Sequence, residues 1–334
     1  YLLFCLVTAF SAQATVTSYS PAIGGMTVTV PAGQTRSVAL PLMHESIGSG
    51  SMRGRITAVG SNNIDVSGAN WNEGELSTAA NPYYIRIISG PAKGRLMLVT
   101  TTPNTPSRVT INSDGVDLTA TGGPQVGDRY ELVLADTLSS MFDGVISGGP
   151  DAANADNLLI WGGSSWQVYY YNTTRNRWEL KGLTFLDVGN TILRPDRGIL
   201  ITRRASTDLT IRVMGRVRNN PAKLFHSRPG STFLISGVPE STDISVTLAD
   251  LALQNLAGWV KSTDPSTADT LQIWGGASWQ TYYFDSTNNR WQLKGLSFLD
   301  AGATKLSGRP VMIRRTTSGS TTDSLITMPL PYSS

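Results

Sequence analysis

Part of this chain is an internal copy of itself. Trp161-Gly-Gly-Ser-Ser-Trp166 recurs 113 residues later as Trp274-Gly-Gly-Ala-Ser-Trp279, and 22 of the 32 positions in 158–189 are identical in 271–302. Identity at that level is a tandem duplication, so both stretches must adopt one fold. The match extends upstream with a one-residue slip, Leu134-Ala-Asp136 against Leu248-Ala-Asp250, and downstream from Ile199-Leu-Ile-Thr-Arg-Arg204 to Val311-Met-Ile-Arg-Arg315. Two copies fall short of a solenoid, which needs three or more stacked repeats. Each copy is therefore expected to close its own core.

Within a copy the pattern predicts one short helix and a meander. Asp136 is placed to cap the first helix, Leu138, Met141 and Phe142 share a face, and Gly144 suits its end. Asp250, Leu253, Leu256 and Gly258 repeat the arrangement. Strands follow at Leu158–Trp161, Trp166–Tyr171, Arg177–Leu180 and Gly198–Thr202, with a polar turn at Asn172–Asn176.

Upstream, six β-like runs (55–59, 64–66, 84–88, 95–99, 108–111 and 130–134) alternate with turn residues, among them Ser61-Asn62-Asn63. Their spacing predicts a small barrel. Charged residues are only 15% of the chain, with 33 Gly and 17 Pro, which is also the composition of a sandwich or barrel protein. The expected class is mainly β: a small N-terminal barrel or sandwich, then two tandem homologous units with one short helix each. The expected boundaries are 1–14 leader, 15–50 extended segment, 51–134 barrel, 135–232 first unit and 233–334 second unit.

The start reads as part of a secretory signal peptide. Tyr1–Phe10 is apolar and uncharged, and Ala12-Gln13-Ala14 has the small-x-small form of a cleavage site. The mature chain is then expected to begin at Thr15, extracellular or at a cell surface, with no membrane span. Cys5, the one cysteine, lies in the leader, leaving no disulfide and no thiolate metal site. The net charge of +3 is too small to argue for nucleic acid.

The order of barrel, helix, Ile-Trp-Gly-Gly, Tyr-Tyr-Tyr-Asn, Arg-Trp and Ile-Thr-Arg-Arg resembles a family of exported β-rich proteins of unknown function typical of Verrucomicrobia and their relatives. Tyr84-Ile-Arg-Ile-Ile-Ser-Gly90 followed by Gly127-Asp128 is similar to that family's first domain. Members often carry Pro-Gly-x-Gly-Phe before the last strand, where this chain has Asp196-Arg-Gly-Ile199 and Gly308-Arg-Pro-Val311. The resemblance implies an exported β architecture and supplies no catalytic residues.

Catalytic patterns are missing. His44-Glu45 lacks the second histidine of a zincin, and neither a nucleophile elbow nor a phosphate loop occurs. Asp156 and Asp187, with counterparts Asp269 and Asp300, could pair as glycosidase acids. However, Leu186-Asp-Val-Gly189 and Leu299-Asp-Ala-Gly302 read better as turns, with Asp bonding its own backbone and Gly at positive φ. No enzyme activity, cofactor or metal is expected.

Binding surfaces are better represented. Trp166, Val168 and Tyr170 share one strand face, as do Trp279, Thr281 and Tyr283, and Thr281 in place of Val168 marks this face as the wetter one. With Trp178 and Trp291 these aromatics are candidates for a sugar platform or a subunit interface, or else they fill both faces of a sandwich. Arg203, Arg204, Arg216 and Arg218 form a candidate anion site for an extracellular polysaccharide, or a charged strand edge. The leading expectation is a structural protein that self-assembles into a layer, fibre or adhesive coat. One route would be Thr15–Val30 adding to a neighbour's sheet. Carbohydrate binding through the aromatic hairpins is the alternative.

Overall fold

A computed structural model describes residues 23–43, 52–69, 71–113, 115–217, 221–226, 232–235, 246–306, 308–316 and 324–328. The fold is mainly β. Strands β1 (Ile23–Val30) and β2 (Thr35–Ala39) come first. Six strands then follow, β3 (Arg53–Val59), β4 (Asn63–Ser67), β5 (Tyr83–Ile87), β6 (Leu96–Val99), β7 (Arg108–Asn112) and β8 (Arg129–Leu134). The first copy holds β9 (Asp136–Thr137), helix α1 (Leu138–Phe142), β10 (Asn157–Trp161), β11 (Trp166–Asn172), β12 (Arg177–Leu180), β13 (Ile192–Leu193), β14 (Gly198–Thr202) and β15 (Leu209–Arg216). The second holds β16 (Ala222–His226), β17 (Thr232–Ile235), β18 (Thr270–Trp274), β19 (Trp279–Asp285), β20 (Arg290–Leu293), β21 (Val311–Arg314) and β22 (Ser324–Met328).

Strands β3 to β8 close a barrel in the order β3-β4-β7-β6-β5-β8, where the six runs predicted it. Alternation does the work: Ile56, Ile64, Ile85, Val109, Tyr130 and Leu132 point inward and are buried, while their strand neighbours point out. The β3–β4 hairpin turns at the expected residues, with Gly60 N–H donating to Asn63 O at 2.9 Å. Neither asparagine there takes positive φ. Among the described residues the non-glycine ones that do are Asn176, Ala252 and Asn289, the two asparagines ending the polar turns of the duplicated hairpins.

The duplicated unit is larger than the sequence match. The first unit's sheet runs β12-β11-β10-β14-β2, and the second's runs β20-β19-β18-β21-β17. Strand β2 therefore occupies in the first sheet the place β17 occupies in the second. Likewise β1 pairs with β15 as β16 pairs with β22. The first unit thus comprises 23–43 and 135–217, with the barrel inserted between β2 and β9, and the second comprises 221–328. This corrects the expected boundaries: 23–43 is no separate segment, and β16 belongs to the second unit. It also shows Ile23–Val30 paired along its length with the chain's own β15, so the donated-strand route is already taken for those residues. Residues 15–22 lie outside the described part.

The short helix differs between the copies. α1 is capped by Thr137 rather than Asp136, and the Thr137 side chain and Ser140 bond each other's backbone N–H. The second copy has two 3-10 turns, Ala249–Leu251 and Leu253–Asn255, in its place. Ala252 at φ 48° breaks the run between them. Each unit closes its own core, with Phe142, Leu158, Tyr169, Trp178 and Ile201 buried in the first and Leu271, Tyr282, Phe284, Trp291 and Ile313 in the second.

Candidate interaction surfaces

The core-facing side of β11 carries Tyr169 and Tyr171, so Trp166, Val168 and Tyr170 lie on the opposite face, as the sequence predicted. That face is not left to solvent. Tyr170, Leu200, Tyr283 and Met312 are all buried on it. Trp166 of the first unit stacks on Trp279 of the second, with centroids 6.2 Å apart and planes 14° from parallel. Each is braced edge-on by its hairpin partner, Trp161 at 5.3 Å and Trp274 at 5.4 Å. Trp274 Nε1–H donates to Thr35 O at 3.0 Å, tying the second unit to β2 of the first. The hairpin turns are thus the seam between the copies.

The aromatic candidates divide accordingly. Trp178 and Trp291 are core residues, 1% and 2% exposed. Their indole N–H groups reach Asp143 Oδ1 at 2.6 Å and Gln254 Oε1 at 3.3 Å. Tyr170 and Tyr283 are buried and donate to Glu179 Oε2 and Gln292 Oε1, both at 2.7 Å. Trp166 and Trp279 face each other. Burial takes Tyr170, Trp178, Tyr283 and Trp291 out of any sugar platform, while the half-buried Trp166 and Trp279 turn a ring face to each other.

Glu179 and Gln292 are equivalent positions with different chemistry. Both are fully buried. Burial by itself would raise the Glu179 carboxyl, yet hydrogen bonds from Tyr170, Arg175, Asn172 and Arg177 hold its pKa at about 2. In the second unit Arg175 becomes Asn288, and the carboxylate lost at Gln292 reappears at Asp285, which replaces Asn172.

The arginines that end the last sheet strands are structural. Arg203 pairs with Asp156 and Arg315 with Asp269, the latter Nε to Oδ2 at 2.8 Å, and all four are buried. Each carboxylate also accepts two backbone N–H bonds, from Ser147 and Arg204 in one unit and from Val260 and Thr316 in the other. The pairing clips the start of β10 or β18 to the segment leaving β14 or β21. Arg216 donates to Glu131 Oε2 at 2.9 Å across the joint between first unit and barrel. Arg204 is exposed, and Arg218 lies outside the described residues. Arg203 and Arg216 are therefore each spent on a separate buried carboxylate rather than offered together to an anion. Asp156 and Asp269 spend their carboxylates on these buried contacts.

Asp187 and Asp300 form the expected turns, accepting from Gly189 N–H at 2.9 Å and Gly302 N–H at 2.8 Å. Neither glycine needs positive φ. Gly189 packs closely instead, since a Cβ there would stand 2.2 Å from Ser139 Oγ and oblige that hydroxyl to turn away.

The same loops carry a feature that the sequence reading passed over. Leu183, Phe185 and Leu186 are 43%, 70% and 51% exposed, and their equivalents Leu296, Phe298 and Leu299 are 41%, 68% and 53% exposed. Each loop folds back along the free edge of its sheet. Leu183 N–H donates to Leu180 O at 2.8 Å, Arg177 Nη2 to Thr184 O at 2.7 Å and Val188 N–H to Trp178 O at 3.0 Å. A signal was present, because Lys-Gly-Leu-x-Phe-Leu-Asp is identical in both copies apart from one Thr/Ser exchange.

Among the described residues no three His, Cys, Asp or Glu side chains cluster as a metal site would require. His44 lies outside them. A cleft of 360 Å³ opens where the barrel meets the first unit, lined by residues such as Leu76, Pro82, Leu98, Thr100, Asn112 and Ile192, with no titratable group. No described helix is long and apolar enough to cross a membrane. No protein-family model, curated protein or solved structure matches the chain.

Proposed function

We propose that this protein is a non-catalytic assembly protein whose copies join through the apolar loops at their sheet edges. The observation that carries the reading is the duplicated triad, Leu183, Phe185, Leu186 and Leu296, Phe298, Leu299, exposed in both units. A lone exposed leucine is ordinary, but two identical apolar clusters on one chain are not. Burying a fully exposed side chain of this kind is worth about 1.5–3 kcal/mol; at the exposures seen here each offers roughly half of that, and each triad offers three. The favoured occupant is a second copy of this chain, because two equivalent patches make each subunit bivalent. One self-complementary patch closes as a dimer, while two allow growth into a chain or layer. The rigid seam at Trp166 and Trp279 would hold the two patches at a fixed angle.

Export belongs to the same proposal, supported by the apolar start, Ala12-Gln13-Ala14 and the resemblance to exported β-rich proteins. The test is sedimentation of the full chain over a wide concentration range, with electron microscopy of the heaviest species. Changing Leu183, Phe185 and Leu186 to Ser in one unit should stop growth at dimers, and changing both triads should leave monomers. A wild-type chain that stays monomeric at high concentration refutes the proposal. So does assembly that survives loss of both triads.

A further inference from the structure

The outward positions of β3, β8 and β5 carry an unbalanced set of charges. Register places Arg53 directly opposite Glu131, and Glu131 directly opposite Arg86. In the next row Arg55 stands opposite Arg129. Arg216 reaches in from the first unit to the same carboxylate. Glu131 is 1% exposed and is shared by three guanidiniums: Arg86 at 2.9 Å, Arg216 at 2.9 Å and Arg53 at 3.3 Å. Arg86 and Arg216 lie beneath, whereas half of the Arg53 side chain is exposed, and Arg55 and Arg129 are also exposed. Three guanidiniums thus share one acid, and Arg55 and Arg129 add two more positive charges in the next row. The next carboxylate along the wall, Asp65, is held by Arg108, with Nη2 at 2.8 Å.

This arrangement costs the barrel stability. Like charges directly opposite on neighbouring strands repel, and Arg55 against Arg129 is such a pair. Burial, and then the field of Arg216 and Arg53, push the Arg86 pKa below its ordinary value against the pull of Glu131. A single carboxylate cannot neutralise the cluster, and an added anion would.

We propose that this wall of the barrel binds an acidic polysaccharide through the exposed guanidiniums of Arg53, Arg55 and Arg129, with Arg86, Arg216 and Glu131 as the fixed layer beneath. Guanidinium forks match carboxylate and sulfate oxygens two at a time. A nucleic acid would further need an aromatic platform for bases or an element that enters a groove. The outward positions of these strands provide neither, since Tyr84, their one aromatic, is buried against the first unit with its hydroxyl 3.4 Å from Leu193 O. The site is separate from the apolar loops and stands whether or not those loops drive assembly.

The test uses the full chain with both loop triads changed to Ser, so that assembly cannot imitate binding. Polygalacturonate and heparin serve as carboxylate and sulfate probes, with neutral dextran and duplex DNA beside them, read by affinity electrophoresis at low and moderate salt. Binding to either acidic polysaccharide and not to dextran is expected. Arg55→Ala with Arg129→Ala should weaken it about tenfold or more, as loss of two charge-assisted contacts implies, while Lys305→Ala leaves it unchanged. Both arginines are exposed and outside the Glu131 network, so the double variant keeps its fold, as circular dichroism would verify. No retention by either acidic polysaccharide overturns the proposal. Retention unchanged in the double variant, or duplex DNA bound as tightly as the polysaccharides, overturns it too.

Discussion

Replacing Asp269 with Asn should destabilise the second unit more than its single-atom change suggests. The Asp269 side chain is solvent-free, and Oδ2 accepts from Val260 N–H and Arg315 Nε, both at 2.8 Å. Oδ1 accepts from Thr316 N–H at 2.7 Å. An amide supplies one oxygen and one N–H group. Turned one way, its NH2 faces Thr316 N–H; turned the other, it faces Val260 N–H and the guanidinium. A donor meets a donor in both cases. Arg315 keeps its bond to Gly258 O at 2.6 Å and its place 5.5 Å from the centre of the Trp259 ring. It loses its counter-charge while 3% exposed. Removing one partner of a buried pair costs about 3–5 kcal/mol, and that is the loss expected in urea unfolding followed by tryptophan fluorescence. Asp156→Asn should cost the first unit a similar amount, because Arg203 is held the same way. A loss below about 1 kcal/mol for Asp269→Asn, well under that of other broken buried pairs, refutes the reasoning.

Two further outcomes are expected. Glu179 has a folded pKa of about 2, below the ordinary 4.5; a depressed acid stabilises the fold above its unfolded pKa and ceases to as pH falls through the folded one. Stability should therefore drop between pH 4.5 and 2, and Glu179→Gln, which copies Gln292, should flatten that slope in urea titrations; an unchanged slope would contradict the assignment. At the seam, Trp166→Ala and Trp279→Ala should each weaken the chain, but together by less than their sum, with a coupling of about 0.5–1.5 kcal/mol as expected for an aromatic pair. Strict additivity would mean that the stack contributes nothing beyond area.

What could be read in advance was local. The barrel strands are visible because residues such as Ile85 and Ile87, or Met97 and Val99, alternate with outward neighbours at the period of a strand. The duplicated hairpins are visible because the chain prints them twice. The place of β2 was not visible, since its partner β14 lies beyond the whole barrel and no short-range pattern links them. The partners of Arg203 and Arg216 were hidden for the same reason: an arginine at a strand end looks alike whether it meets water or a buried carboxylate far along the chain. Leu183, Phe185 and Leu186 failed to stand out because apolar residues beside a strand are taken for core. Only their exposure separates them from Val188, which packs inward.

The insertion of the barrel between β2 and β9 also sets an order of events. Ala39 meets Gly198, whereas Ile235 meets Val311, so the first unit must span roughly twice as much chain to complete its sheet as the second. Loop closure over longer separations slows folding. As the chain leaves the ribosome, β1 and β2 emerge first yet have no sheet to join until the barrel and most of the first unit have followed. Meanwhile β17 arrives with the same kind of edge to offer the same kind of slot. The unit synthesised first is thus the one exposed longest to a wrong partner. Prompt folding of the barrel, which brings Met43 and Ala135 into one apolar cluster, would return β2 to its own unit before its copy could take the place.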